Sequence, residues 1–279
     1  MPELPEVETI KNTIAAAVDD AVILDVIVNQ PKLRISIPAD FKERIVGARI
    51  TSFKRIAKYM LINLNNGQTI IWHFGMSGKI KIESQMPTTF EKHDHLIITT
   101  DKGILIYNDP RRFGLVTLCE SGKLKQHKLF KHLGPDPWDS EFNADYLIQK
   151  FKAKKVPIKI ALLNQEIICG IGNIYASEIL YHARILPNRA AESINKHEAE
   201  LIVKFTRQVL EEAIKAGGST IHDYKKPDGD IGYFQQKHCV YNKTGQKCPQ
   251  CRCNIAKTGG IRKIVLGGRS TFYCGTLQK

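Results

Sequence analysis

The sequence predicts an α+β chain of more than one domain, and three observations carry that prediction. Apolar residues at the N-terminus recur at three- and four-residue steps. Short β-type runs then follow one another up to about Cys119. Helical spacing takes over from Ala144 and gives way to a cysteine-rich tail. A length of 279 residues suits two domains with a small third. The composition breaks place them at 1–132, 133–237 and 238–279.

Leu4, Val7, Ile10 and Ile14 share one helical face. Pro5 is tolerated only in a first turn, so this helix starts at the very N-terminus. The β-type runs are VILDVIV (22–28), YMLINL (59–64), TIIWHF (69–74), HLIITT (95–100) and ILIYN (104–108). Asn65-Asn66-Gly67 and Asp101-Lys102-Gly103 are turn signals between paired runs. A β-rich region of this size holds its own core, as a sandwich or a barrel. Gly134-Pro135-Asp136-Pro137 suits neither helix nor central strand and reads as a linker. Helices are expected over Ala144–Lys155, Ile158–Asn164, Gly172–Ala183 and Ala190–Ala216, with Gly217-Gly218 as the stop of the last. The polar stretch Ser219–Gly232 reads as a loop, and the cysteine-rich tail begins near His238.

With 43% apolar and 25% charged residues, the chain is not disordered or collagen-like. No stretch approaches the ~20 apolar residues of a membrane helix, so no membrane partner is expected. MPELPEVETI lacks the basic and apolar regions of a secretory signal. Lys plus Arg number 41 against 28 Asp plus Glu, a net charge of +13. Such a balance points to a polyanion, nucleic acid first, over a merely soluble basic surface. Cys119 and Cys169 sit in apolar runs as small buried hydrophobes, whereas the other five of seven cysteines crowd into the last 41 residues. An odd count without a signal favours a metal site in a reducing cytosol over a disulfide framework.

Four segments carry chemistry, each with a plainer alternative. Loss of the initiator Met would make Pro2 the α-amine, partly unprotonated at neutral pH and able to attack a sugar C1′. Glu3 and Glu6 would flank it as acid/base partners. The alternative is a helix-start proline with acids favoured by the helix dipole. Cys248-x-x-Cys251, with Cys253 and Cys274, suits a tetrahedral metal ion, against a metal-free hairpin. Gly170-Ile-Gly172-Asn173 before a helix suits a phosphate, or merely a tight packing turn. Asp109-Pro-Arg111-Arg112-Phe113-Gly114 offers cations and an aromatic wedge, and His73-Phe-Gly-Met76 offers a Met in a similar turn. The alternative is a loop cation pair over a buried Phe.

Together, MPELPEVET, AKY (57–59), HFGMSG (73–78), KHDH (92–95), DPRRFG (109–114), HLGPDP (132–137), GIGNIYASE (170–178), GGST (217–220), GYF (232–234) and GRSTFYC (268–274) resemble the bacterial formamidopyrimidine-DNA glycosylase family, in family order and over essentially the whole chain. Leu4 and DPRRFG favour it over the endonuclease VIII-like sister family. The resemblance implies an N-terminal β-sandwich opened by a helix, a helix–two-turn–helix domain and a C-terminal zinc-finger-like β-hairpin. Damaged double-stranded DNA would lie in a cleft between the halves of a cytosolic monomer. It further implies excision of oxidised purines such as 8-oxoguanine and formamidopyrimidines, followed by AP-lyase strand cleavage. Pro2 would be the nucleophile, Glu3 the general acid, Lys58 the phosphate contact and proton-transfer lysine, and Arg269 the aid to δ-elimination. His93, Arg111, Lys154 and Asn173 match DNA-binding positions. Met76, Arg111 and Phe113 would fill the void left by the flipped nucleotide, and Ser219–Tyr233 would close over the base.

Two departures from the family pattern stand out. Leu277 occupies the position of the fourth Zn2+ ligand, and the 22-residue interval between Cys251 and Cys274 is longer than the family norm. Cys253 could compensate, though Cys251-x-Cys253 is tight for one tetrahedral ion. GDIG (229–232) also lacks the proline often found before GYF. A non-catalytic damaged-DNA-binding protein of the same fold is the alternative reading, and an RNA-binding zinc-ribbon protein a third.

Overall fold

The computed structural model describes residues 1–219, 234–252 and 254–279. Cys253 and all of the Ser219–Tyr233 loop except Ser219 lie outside the described residues. The chain forms two compact units. One joins residues 1–131 with 216–235, and the other joins 132–215 with 236–279.

The first unit opens with α1 (Leu4–Val18), followed by β1 (Ile23–Val28), α2 (Phe41–Ile45), β2 (Ile50–Ile56), β3 (Tyr59–Leu64), β4 (Gln68–His73), β5 (Lys79–Glu83), β6 (Asp94–Thr100), β7 (Ile104–Asn108) and β8 (Leu115–Glu120). The strands make two four-stranded antiparallel sheets, ordered β1-β6-β7-β5 and β2-β3-β4-β8. The side-chain period of two sorts the residues. Leu96, Ile98, Leu105 and Tyr107 join Trp72, Met60 and Ile62 of the other sheet in one core, while Ile97, Ile104 and Ile106 form a second cluster. The result is a sandwich. Val7, Ile10, Ile14 and Val18 of α1 sink into its core, so α1 is anchored along its length.

The second unit holds α3 (Ala144–Phe151), α4 (Ile158–Leu163), α5 (Asn173–His182) and α6 (Lys196–Lys215). Across the boundary in sequence runs α7 (Phe234–Lys237), and α8 (Ile255–Thr258), β9 (Arg262–Leu266) and β10 (Arg269–Tyr273) complete the chain. Ala199, Ile202, Thr206, Val209, Leu210 and Ala213 bury one stripe of α6, against which α3 and α5 pack. Two expected helices are shorter than their apolar spacing suggested. α3 stops at Phe151 because Ala153 turns to φ +58°. α6 starts at Lys196 because Asn195 and Glu198 cap each other: Glu198 N–H donates to Asn195 Oδ1 (2.9 Å) and Asn195 N–H to Glu198 Oε2 (3.0 Å). The β9–β10 hairpin turns through Gly267 and Gly268, both at positive φ, the backbone of a two-residue primed turn. Among the described residues no helix is long and apolar enough to cross a membrane.

Candidate functional site

Pro2 and Glu3 are buried at the entry to α1, with Glu3 only 3% exposed. Glu3 N–H donates to Glu6 Oε2 (2.9 Å), and Glu6 Oε1 accepts from Ser219 N–H (2.8 Å). Both oxygens of Glu6 thus hold backbone N–H groups and tie the entry of α1 to Ser219. Lys58 lies in the β2–β3 turn and is 7% exposed. Arg55 joins this turn to α1. Its Nε donates to Glu8 Oε2 (2.9 Å) and its Nη1 to the Ala57 carbonyl (3.1 Å), one residue before Lys58.

His73, at the end of β4, packs its ring 4.8 Å from that of Tyr59 and accepts at Nδ1 from Gly75 N–H (3.0 Å). Burial, then the cations of Arg34 and Lys58, pull its pKa down to about 4. The imidazole is therefore neutral at physiological pH and excludes a further proton beside Lys58. Folded His73 binds its proton more weakly than the unfolded chain does. Its contribution is complete above the unfolded value near 6.5 and is lost as pH falls toward 4. Denaturant melts between pH 7 and 4 should show a loss of at most about 3 kcal/mol, and His73→Gln should flatten that slope.

Two loops of this unit present the predicted wedge residues. Asp109, fully buried, organises both. Its Oδ1 accepts from Ser77 Oγ (2.6 Å), and its Oδ2 from Gly114 N–H (2.8 Å) and Tyr107 Oη (3.2 Å). Around this anchor Met76 and Phe113 stay exposed at 38% and 46%, and the Arg111 guanidinium lies 4.9 Å from the Phe113 ring centroid. His93, half-buried, touches His95 edge-to-face, and its carbonyl accepts from Asp109 N–H (3.1 Å). The loops approach closely at Gly75 (φ +62°), where a Cβ would overlap the backbone of Phe113 and Gly114. Gly75→Ala should therefore destabilise the first unit by about 2–4 kcal/mol, from overpacking plus left-handed strain, read as a lowered urea midpoint.

In the second unit, Asn173 opens α5 directly after Gly172. Its Nδ2 donates to the Ser270 carbonyl (3.1 Å), and its Oδ1 accepts from Lys159 Nζ (2.8 Å). Lys159 also reaches the Ser270 carbonyl (3.2 Å) and Thr271 Oγ1 (2.9 Å), and is fully buried. Sequence reasoning missed Lys159; its one signal is a lone cation inside the apolar segment IKIALL. These contacts bring Asn173 to the strand that carries the exposed Arg269. The hairpin tip is seated on α4, where a Cβ at Gly267 would stand 2.8 Å from Ile160 Cδ1. Lys154 sits in the α3–α4 connection, half-buried and outside this group of residues.

Cys248, Cys251 and Cys274 converge, and this cluster has the ligand atoms to hold a metal ion. Cys274 Sγ and Cys251 Sγ are 3.7 Å apart, against about 3.8 Å for two thiolates on one tetrahedral zinc. Tyr181 Oη lies 3.3 Å from Cys248 Sγ, and buried Gln278 accepts from Cys274 N–H (2.7 Å). Burial opposes ionisation of Cys248, but hydrogen bonds from Tyr181, the Gln250 backbone and Cys274 outweigh it and lower the thiol's pKa. Leu277 packs with these cysteines as an apolar neighbour. The long Cys251–Cys274 interval holds α8 ahead of β9 and β10, and α8 is capped by Asn254 and ended by Gly259 at φ +73°.

Known proteins share this fold. Residues 1–116 match the formamidopyrimidine-DNA glycosylase N-terminal domain, and residues 133–225 the formamidopyrimidine-DNA glycosylase H2TH domain. The formamidopyrimidine-DNA glycosylases of Rhodospirillum rubrum and Agrobacterium fabrum are 43% and 42% identical, each aligned over the whole of both chains. A Lactococcus lactis FPG mutant, solved with DNA containing Fapy-dG, superposes with a TM-score of 0.90 at 31% identity over the full length of both chains. The Thermus thermophilus MutM (FPG) protein gives 0.86 at 33% identity, covering 99% of this chain and 98% of that one. Matches to two domain types, and to whole relatives from end to end, leave no part of the architecture unaccounted for: the chain belongs to the formamidopyrimidine-DNA glycosylase family.

Proposed function

We propose that the protein is a bifunctional DNA glycosylase and AP lyase that excises oxidised purines, 8-oxoguanine and formamidopyrimidines, from duplex DNA. The observation that carries this reading is the buried Pro2-Glu3 pair at the head of a helix that Arg55 clamps to the Lys58 turn. With Met1 removed, the Pro2 secondary amine attacks C1′ as the base departs, and Glu3 donates a proton to open the sugar ring. Breaking the C1′–O4′ bond, with that proton on O4′, leaves a cationic iminium at C1′ without a second N–H to shed. That cation acidifies the C2′ proton, Lys58 accepts it, and the 3′ phosphate leaves by β-elimination. Arg269 assists δ-elimination of the 5′ phosphate. Arg111, His93, Lys154 and Asn173 contact the backbone, while Met76 and Phe113 occupy the opened stack. The +13 charge supports a polyanionic partner, as do the DNA complexes of the Lactococcus lactis relatives. Zinc suits the three thiolates and would hold the finger as a structural ion, in a monomer working in a reducing cytosol.

Borohydride trapping on an 8-oxoguanine duplex tests the chemistry. The Met-processed chain should give one covalent adduct per molecule, and Pro2→Gly should give far less. Equal trapping by Pro2→Gly would refute the Pro2 mechanism. Tight, salt-sensitive binding with no adduct and no excision would favour the non-catalytic damaged-DNA-binding alternative that Leu277 raises.

A further inference from the structure

We propose that Glu178, His182 and Cys239 form a second metal site, suited to a zinc-class divalent cation, which shares no ligand with the Cys248–Cys251–Cys274 cluster. Glu178 and His182 are four residues apart on α5, so they project from one helical face. Cys239 arrives from the segment that follows α7. One carboxylate oxygen of Glu178, one imidazole nitrogen of His182 and Cys239 Sγ all lie within 4.8 Å of one another.

The spacing is close to that of a formed site. Cys239 Sγ is 3.8 Å from His182 Nε2. A tetrahedral zinc with ordinary Zn–S and Zn–N bonds holds those atoms about 3.6 Å apart. The carboxylate oxygen lies within 4.8 Å of both atoms, and Glu178 is held in place by the backbone. Glu178 Oε2 accepts from Cys239 N–H (2.8 Å), and Oε1 accepts from Val240 N–H (3.1 Å) and Tyr241 N–H (2.8 Å). The same three amides press residues 239–241 onto α5. The His182 ring is also held, 5.7 Å from Phe205 in a stacked arrangement and 5.3 Å from Tyr181 edge-on.

The chemistry of the three groups selects the ion. Thiolate, imidazole and carboxylate together suit zinc, cobalt or cadmium over magnesium or calcium. Binding exchanges the Cys239 thiol proton for the cation, with the proton released to solvent. His182 and Cys239 are both partly exposed, which gives an ion access, and a three-ligand set leaves the fourth position to water. A bound ion would clamp α5 to the stretch that leads into the finger.

The full-length chain, supplemented with zinc and freed of excess, should hold one metal equivalent more than His182→Ala or Cys239→Ser by elemental analysis. Cobalt titration should show a thiolate-to-cobalt band that both variants lose. Each should weaken Co2+ binding by at least the ~10–100-fold that loss of an outer hydrogen-bond partner costs. Cys248→Ser should keep this equivalent whether or not the three-cysteine cluster binds zinc, which separates the two sites. Equal metal content in wild type and His182→Ala would overturn the proposal, as would a Cys239-dependent band that survives His182→Ala. Because His182 is half-exposed and its loss leaves the Glu178 hydrogen bonds in place, that variant decides the question even where Cys239→Ser misfolds.

Discussion

Glu3→Gln is expected to slow base excision by about 10²- to 10⁴-fold, the usual contribution of a positioned general acid. The amide matches the carboxyl in shape but has no acidic proton for the opening sugar ring. The fold should survive, because the Glu3 backbone N–H still donates to Glu6, and the Gln side-chain carbonyl can still accept from the Glu6 backbone N–H as the Glu3 carboxylate does in the capping box. Removing a negative charge from the helix N-terminus costs only about 0.3–1 kcal/mol. Single-turnover excision of 8-oxoguanine should therefore fall steeply while strand cleavage at a preformed abasic site, which the proposed mechanism assigns to Pro2, should be far less affected. Excision at the wild-type rate would remove Glu3 from the acid role. Loss of both activities together with a collapsed melting temperature would mean that its role is structural.

Metal removal has the second large effect. The purified chain should carry near-stoichiometric zinc at the three-cysteine cluster, and less than about 0.2 per chain would sink the site. Chelation or Cys274→Ser should free the hairpin that presents Arg269, together with the exposed Arg262 and Lys263. Duplex affinity should drop about 10- to 100-fold, and the slope of log affinity against log salt should shrink by about one for each phosphate the hairpin no longer neutralises. Excision should suffer less than δ-elimination, because Pro2 and Glu3 belong to the other unit. A chelated protein with unchanged salt dependence would show that the hairpin does not touch the backbone.

The regular elements were legible because their periods are strong. Leu4, Val7, Ile10 and Ile14 announce α1, and YMLINL and ILIYN match β3 and β7 residue for residue. The start of α6 was not, since Ala190 and Ala191 are good helix formers and only the Asn195–Glu198 cap reveals the true boundary. The wedge and cysteine residues were legible as residue types, while the groups that position them were not. Asp109 reads as a turn residue, yet it is the buried acceptor for two loops. Lys159 is only a lone cation in an apolar segment, yet it is spent on Asn173 and on a finger strand more than 100 residues away in sequence. Glu6 reads as a catalytic neighbour, yet both its oxygens hold backbone N–H groups. Partners set by tertiary contact leave no local period to detect.

The Glu6–Ser219 hydrogen bond has a consequence for biosynthesis. It joins positions 213 residues apart, so the entry to α1 waits for one of the last segments of its own unit. The sandwich can condense from its own strand pairings, but the entry to α1 acquires this tether only after the whole of α6 has been made. A nascent chain therefore carries Pro2 and Glu3 long before it carries the residue that tethers them. Truncations that stop short of Ser219 should yield a folded sandwich whose N-terminus is loosely held.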